Sequence, residues 1–132
     1  MPSIFTKIVN GEIPAYKVAE NDEFLAFLDV MPLVEGHVLV IPKMEIDYIF
    51  DIEDDLYLEL QMFAKKVAKG LKKAISCKRI GVAVIGLEVP HTHIHLVPLE
   101  TMDDINFTRK KMSIPKERME ELQKIIKDNI TI

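Results

Sequence analysis

Three of the four histidines in this chain, His91, His93 and His95, alternate within the stretch EVPHTHIHLVP. On an extended strand, alternate residues share one face, so the three imidazoles form a row while Thr92, Ile94 and Leu96 point the other way. A helix would turn His93 about 160° from its neighbours, so the row requires a strand. Packing alone is a costly reason for such a row, because each neutral ring brings a donor and an acceptor that need partners once buried. A single metal ion is a second reading. At about 3.3 Å per residue, His91 and His95 stand roughly 13 Å apart, too far for both to join His93 at one zinc with bonds of about 2.0 Å. Two neighbours could chelate with ligands from elsewhere in the chain, leaving the third idle. The third reading is that the row divides work on one anionic group such as a phosphate. Imidazole is largely neutral near pH 7, attacks through one nitrogen, and has its tautomer set by a hydrogen bond at the other. His93, in the middle, is then the attacking ring, with its neighbours touching phosphate oxygens or the leaving group.

The rest of the chain must hold that strand. At 132 residues it has the size of one domain, residues 1–132, with a core of its own. Hydrophobic residues make up 48% and charged residues 29%, and the net charge is −4, so bulk charge attracts neither nucleic acid nor an acidic membrane. Cys77 is the one cysteine, which excludes an intrachain disulfide and a thiolate zinc cage. No leader-like or bilayer-length apolar run is present, and a cytoplasmic setting is expected.

SIFTKIV reads as a short helix or turn ended by Asn10-Gly11. YKVAEN and EFLAFLDV read as strands of a hairpin turning at Asn21-Asp22, and HVLVIP as a strand covered on both faces, hence central. Over residues 52–75 the period changes. Leu56, Leu60, Phe63, Val67, Leu71 and Ile75 fall three and four apart, predicting a long helix capped by Asp51, with a solvated lysine face at Lys65, Lys66, Lys69, Lys72 and Lys73. RIGVAVIG and HTHIHLVPLE read as the last strands, and residues 115–128 as a helix begun by Pro115 and buried through Met119, Leu122 and Ile126. Sequential strands mostly pair, so the fold class is α+β: an antiparallel sheet of about five strands with the helices on one side.

HTHIHLVP resembles the His-x-His-x-His signature of the histidine-triad, or HIT, nucleotide hydrolases and transferases. IFTKIVNGEIPA resembles the family's opening motif, FLAFLDVMP its second and GHVLVIPK its third, in the same order, over residues 3–98. The likeness is nearest to the Hint-like purine nucleoside phosphoramidase branch. It implies that His93 attacks the α-phosphate of a nucleotide derivative, that His95 touches the phosphate and leaving group, and that His91 and His37 support them. It further implies that Asp29 accepts hydrogen bonds from ribose hydroxyls and that Phe5, Ile13, Phe27 and Val30 enclose the base. The implied partners are a purine nucleotide such as an AMP derivative and a second copy of the chain, joined through the long helix and a strand. No cofactor, bound metal, nucleic acid or membrane is implied. Thr6 stands where some relatives carry a zinc-binding cysteine.

The segment before the triad departs from the family pattern. In VAVIGLEVPHTH the usual amide is missing and the loop is shorter. Gly86 matches, but Leu87 replaces a glutamine and Glu88 the hydroxyl residue that assists the leaving group. A carboxylate beside a phosphate is repulsive unless protonated or paired with a cation. Strict alternation points Glu88 away from His93, so it supports the site only where Pro90 or a bulge breaks the pairing. Three functions therefore stand: a nucleotidyl hydrolase, a nucleotide-binding module with weak or no catalysis, and a metal binder. Residues 101–132 carry no motif.

Overall fold

The computed structural model describes all residues, 1–132. Five strands form one antiparallel sheet: β1 (Lys17–Glu20), β2 (Phe24–Leu28), β3 (Val38–Pro42), β4 (Arg79–Ala83) and β5 (Ile94–Leu99), in the order β1-β2-β3-β5-β4. The hairpin forms where Asn21 breaks the pattern, its Oδ1 accepting the N–H groups of Glu23 (3.0 Å) and Phe24 (2.8 Å) in an Asx turn. β3 is buried at all five positions and lies at the centre, as its unbroken apolar run requires.

The helices are α1 (Ile4–Val9), α2 (Asp54–Ala74) and α3 (Lys116–Asn129). In α2 the expected stripe is the buried one: Leu60, Phe63, Val67 and Leu71 enter the core, and the lysines face solvent. Its cap is Glu53, whose carboxylate accepts the N–H of Asp55 at 3.2 Å, rather than Asp51, which closes a separate 3-10 turn over Ile49–Asp51. α3 starts one residue after Pro115 and buries Met119, Leu122 and Ile126.

The two faces of the sheet are covered differently. α2 and α3 pack against Phe24, Ala26, Leu28, Val38, Val40, Ile94 and Leu96, forming the main apolar core. The alternate residues Leu25, Phe27, Leu39 and Ile41 face the other way and meet Phe5 and Ile8 of α1. Helices therefore stand on both sides, against the expected single side. A six-residue helix with two buried side chains is too short to announce its face by periodicity.

The last strand is shorter than its sequence suggests. Pairing starts at Ile94, so only His95 of the three histidines lies in β5, while His91 and His93 precede the paired strand. Pro90 is the reason, since the His91 N–H turns back to the Val89 carbonyl at 2.8 Å in a three-residue turn. Thr92 then leaves the ladder altogether, giving its N–H (2.7 Å) and its hydroxyl (2.6 Å) to the Ile46 carbonyl. β4 likewise ends at Ala83, and residues 84–93 form the loop.

Candidate active site

The histidines gather on the α1 face of the sheet. His95 pairs with Leu39 across β3 and β5, and its ring lies 5.0 Å from that of His93 and 5.2 Å from that of His37, which sits one residue before β3. All four histidines are buried, at 0% exposure for His91, 1% for His37 and 8% for His93 and His95. Every side-chain nitrogen or oxygen shut off from solvent has a hydrogen-bond partner.

Those partners fix the tautomers, because a carbonyl only accepts and a backbone N–H only donates. His93 Nδ1 donates to the His91 carbonyl at 2.7 Å, so a neutral His93 ring keeps its lone pair on Nε2. On the other side, the Leu33 N–H donates to His37 Nδ1 at 3.0 Å, putting the proton of the neutral ring on Nε2. That proton is donated to His95 Nδ1 at 2.9 Å, which leaves His95 Nε2 as an N–H donor. An imidazole with an open lone pair therefore stands beside one with an open N–H. Burial holds the proton affinity of His37 far down, to about 3, and that of His95 to about 4, with the neighbouring His95 and His93 rings adding to the respective effects. The His37–His95 pair is thus neutral near pH 7, as the hydrogen-bond pattern requires.

His91 works through the backbone. Its Nε2 donates to the Pro42 carbonyl at 2.8 Å, and its Nδ1 accepts the Ser3 hydroxyl at 2.8 Å. Ser3, the N-cap of α1, is held in turn by Glu45, whose Oε1 takes the Ser3 N–H (2.6 Å) and the Thr6 hydroxyl (2.7 Å). Those two bonds, the Ser3 one first, lower the carboxyl pKa of Glu45. The chain Glu45–Ser3–His91 ends at the carbonyl that orients His93. Neither Ser3 nor Glu45 carries a motif signal, since each acts across more than forty residues of sequence.

The remaining expected residues are distributed as follows. Phe5 meets Phe27 edge to face at 5.5 Å and His93 at 5.0 Å, forming the apolar floor under the row, with half-buried Ile13 beside it. Val30 is 63% exposed, one residue after Asp29. Asp29 is half-buried; its Oδ1 accepts the Met31 N–H at 2.9 Å, capping the turn, and its Oδ2 lies 3.7 Å from His37 Nε2. Burial, first of all, raises its pKa. Gly86 sits in the exposed loop at φ +72°, a conformation glycine adopts freely, with open space around it. Glu88 is exposed in the same loop, and with the ladder broken at Pro90 the alternation rule does not apply to it; its charge adds to the raised pKa of Asp29.

Asp29, His37 and His95 also bring a carboxylate oxygen and two ring nitrogens within 4.8 Å of one another. That trio suits a metal poorly, because His37 Nε2 carries the ring proton and has no lone pair to offer. A surface hollow between the β1–β2 turn and α2, lined by Asn21, Asp22, Glu23, Met62 and Lys66, contains no histidine.

Besides Ser3 and Glu45, two further residues carry no signal in the sequence. Phe107 lays its ring edge-on to His95 at 4.7 Å, and Lys111 reaches back over Phe107, giving its ammonium to the Phe107 carbonyl at 2.7 Å. Both come from the segment without a motif.

Residues 10–102 match the HIT domain. The chain belongs to the HIT family. Among HIT relatives, an uncharacterized HIT-like protein of Borreliella burgdorferi is 38% identical across 96% of this chain and 97% of its own length. An adenosine 5'-monophosphoramidase of Saccharomyces cerevisiae is 38% identical over 72% of this chain and 61% of its own length. The HIT fold recurs in a Hit-like protein of Bartonella henselae involved in cell-cycle regulation, with a TM-score of 0.85 and 31% identity over 97% of this chain and 96% of that one. A hypothetical histidine triad nucleotide-binding protein of Sulfolobus tokodaii gives 0.81 and 32% identity, over 95% and 89%.

Proposed function

We propose that this HIT protein cleaves a nucleoside monophosphate, AMP or a related purine nucleotide, from an amine or other leaving group through a nucleotidyl intermediate on His93. The observation that carries the reading is the pairing of an open His93 Nε2 lone pair with an open His95 Nε2–H, 5.0 Å between ring centroids. In this reading Nε2 of His93 attacks the α-phosphorus and the phosphorus–nitrogen bond breaks. The amine leaves with the bonding pair and a proton drawn from solvent, while the neutral His95 ring donates its Nε2–H to a phosphate oxygen. Water then attacks the same phosphorus, loses a proton to solvent and frees His93. Asp29 Oδ2 receives ribose hydroxyls, Phe5, Phe27 and Ile13 support the base with Val30 closing from the rim, His91 and His37 hold the reacting rings, and Gly86 shapes the loop that carries Glu88.

The test is AMP release from an adenosine phosphoramidate. His93→Ala is expected to lower turnover by roughly a thousandfold or more while leaving the melting temperature near that of the parent. Equal turnover in both proteins would reject the reading. A second reading, nucleotide binding with little catalysis, is favoured by the loop itself: Leu87 is 87% exposed and offers no side-chain donor where relatives carry an amide. Tight AMP binding with no release above the His93→Ala background would select it.

The proposed assembly is a homodimer through β4 and α2. β4 is an edge strand with Val82 61% exposed, and α2 exposes Leu58 (64%) and Met62 (53%). Sedimentation should give twice the chain mass, and Val82→Lys should shift it toward the monomer. No helix is long and apolar enough to cross a membrane; the setting proposed is cytoplasmic.

A further inference from the structure

The histidine cleft needs positive charge that its histidines do not supply. His37, His91 and His95 all have lowered proton affinity, chiefly from burial, and Asp29 and Glu88 add negative charge. A phosphate that gains charge during attack would meet two carboxylates and largely neutral rings. One cation acts on this group of residues. Lys111 bears electrostatically on His37, His95 and Asp29 together, and it makes no ion pair of its own.

Its position is fixed by anchors on either side. Arg109 donates to the Leu33 carbonyl while its charge is met by Asp103 (3.1 Å) and Asp104 (3.6 Å). The Met112 N–H donates to the Pro32 carbonyl at 2.8 Å. Residues 109–112 are thereby strapped to the loop that carries Asp29 and His37. Lys111 is half-buried between the two anchors, with its ammonium 5.8 Å from the centre of the Phe107 ring, whose edge meets His95. One of its three ammonium protons is engaged by the Phe107 carbonyl, which leaves two for a ligand.

We infer that Lys111 is a substrate-contacting residue that takes the non-bridging oxygens of the phosphate held between His93 and His95. This rests on the proposed nucleotide site, although its binding part can be tested without turnover. Lys111 does the work that a protonated imidazole could not do in so buried a cluster, and it offsets the carboxylate of Glu88 at the rim.

The experiment compares the parent with Lys111→Gln and Lys111→Arg. Affinity for AMP is measured by calorimetry at two salt concentrations, and kcat/KM is measured on two adenosine phosphoramidates, one with an uncharged and one with a carboxylate-bearing leaving group. Loss of a charge-assisted contact predicts AMP binding weakened roughly ten- to hundredfold in Lys111→Gln, with a flatter salt dependence and partial recovery in Lys111→Arg. Both substrates should slow by similar factors. Unchanged AMP affinity, or slowing confined to the carboxylate-bearing substrate, would overturn the assignment. If the parent binds AMP but turns over neither substrate, the catalytic reading fails while the calorimetry still decides the role of Lys111. Melting curves of the three proteins should nearly superimpose, because Lys111 makes no ion pair and its side chain has a single hydrogen bond, to the Phe107 carbonyl.

Discussion

The two faces of one sheet are built on opposite principles. Against α2 and α3, the alternate residues of β2, β3 and β5 meet only apolar partners, and shape and area hold them. Against α1, the same strands present Leu25, Phe27, Leu39 and Ile41 beneath four buried imidazoles, each held by hydrogen bonds to particular backbone or side-chain groups. The first face can absorb a change of shape at a cost in stability. The second fixes which nitrogen carries each proton, so a change there alters chemistry first.

Breaking the helix face should therefore give the largest loss of stability. Leu71→Ala, at a fully buried site, is expected to cost about 2–5 kcal/mol in urea unfolding and to leave kcat of the folded fraction near that of the parent. On the opposite face, His37→Leu removes the acceptor of the Leu33 N–H and the donor to His95. A stability loss of about 1–3 kcal/mol is expected for the stranded donor, with kcat reduced roughly ten- to hundredfold. His37→Gln, which can still accept at one end and donate at the other, should recover most of both, and the pair of variants separates packing from tautomer control.

Acid sharpens the contrast further. Burial depresses the proton affinity of His37 to about 3 and of His95 to about 4, against the ordinary value of 6.5 that the unfolded chain regains. Between those values the unfolded chain binds more protons than the folded one, so stability rises with pH there. The contribution is full above about pH 6.5 and is lost progressively as the pH falls toward 4. Chemical unfolding at half-unit steps should show that decline, and it should be shallower in His37→Gln.

The smallest effect is expected at Glu45, which reaches His93 only through Ser3 and His91. Glu45→Ala should lower kcat by less than about tenfold with little change in KM, and Glu45→Gln, which keeps an acceptor for the Ser3 N–H and the Thr6 hydroxyl, should restore it. An effect confined to KM would mean that Glu45 does not act on the orientation of His93.

How much of this was legible depended on the range of the interactions. The Asn21 turn, the buried run of β3 and the α2 stripe are local patterns, and the structure follows them. The alternation of the three histidines was legible as well, although only His95 is in a paired strand. What detached the other two was a turn at Pro90 and the attachment of Thr92 to Ile46, a contact between distant segments. The same holds for α1, whose face is chosen by Phe5 meeting Phe27, and for Ser3 and Glu45. Phe107 and Lys111 lie in a stretch with neither period nor motif, and tertiary anchoring at Leu33 and Pro32 alone brings them to the cleft. The departures at Leu87 and Glu88 were readable as substitutions, but the direction of Glu88 was not, because alternation ends where the ladder does.

The central claim is that the histidine face holds His93 Nε2 ready to take a nucleotidyl group. Intact-protein mass spectrometry tests it most directly, with the chain mixed with an adenosine phosphoramidate, quenched rapidly without acid, and compared with His93→Ala. A mass increase of one adenylyl group in the parent and none in the variant is the predicted result. An adduct present in both, or AMP released by the parent with no adduct at any time point while His93→Ala remains as active, would contradict it.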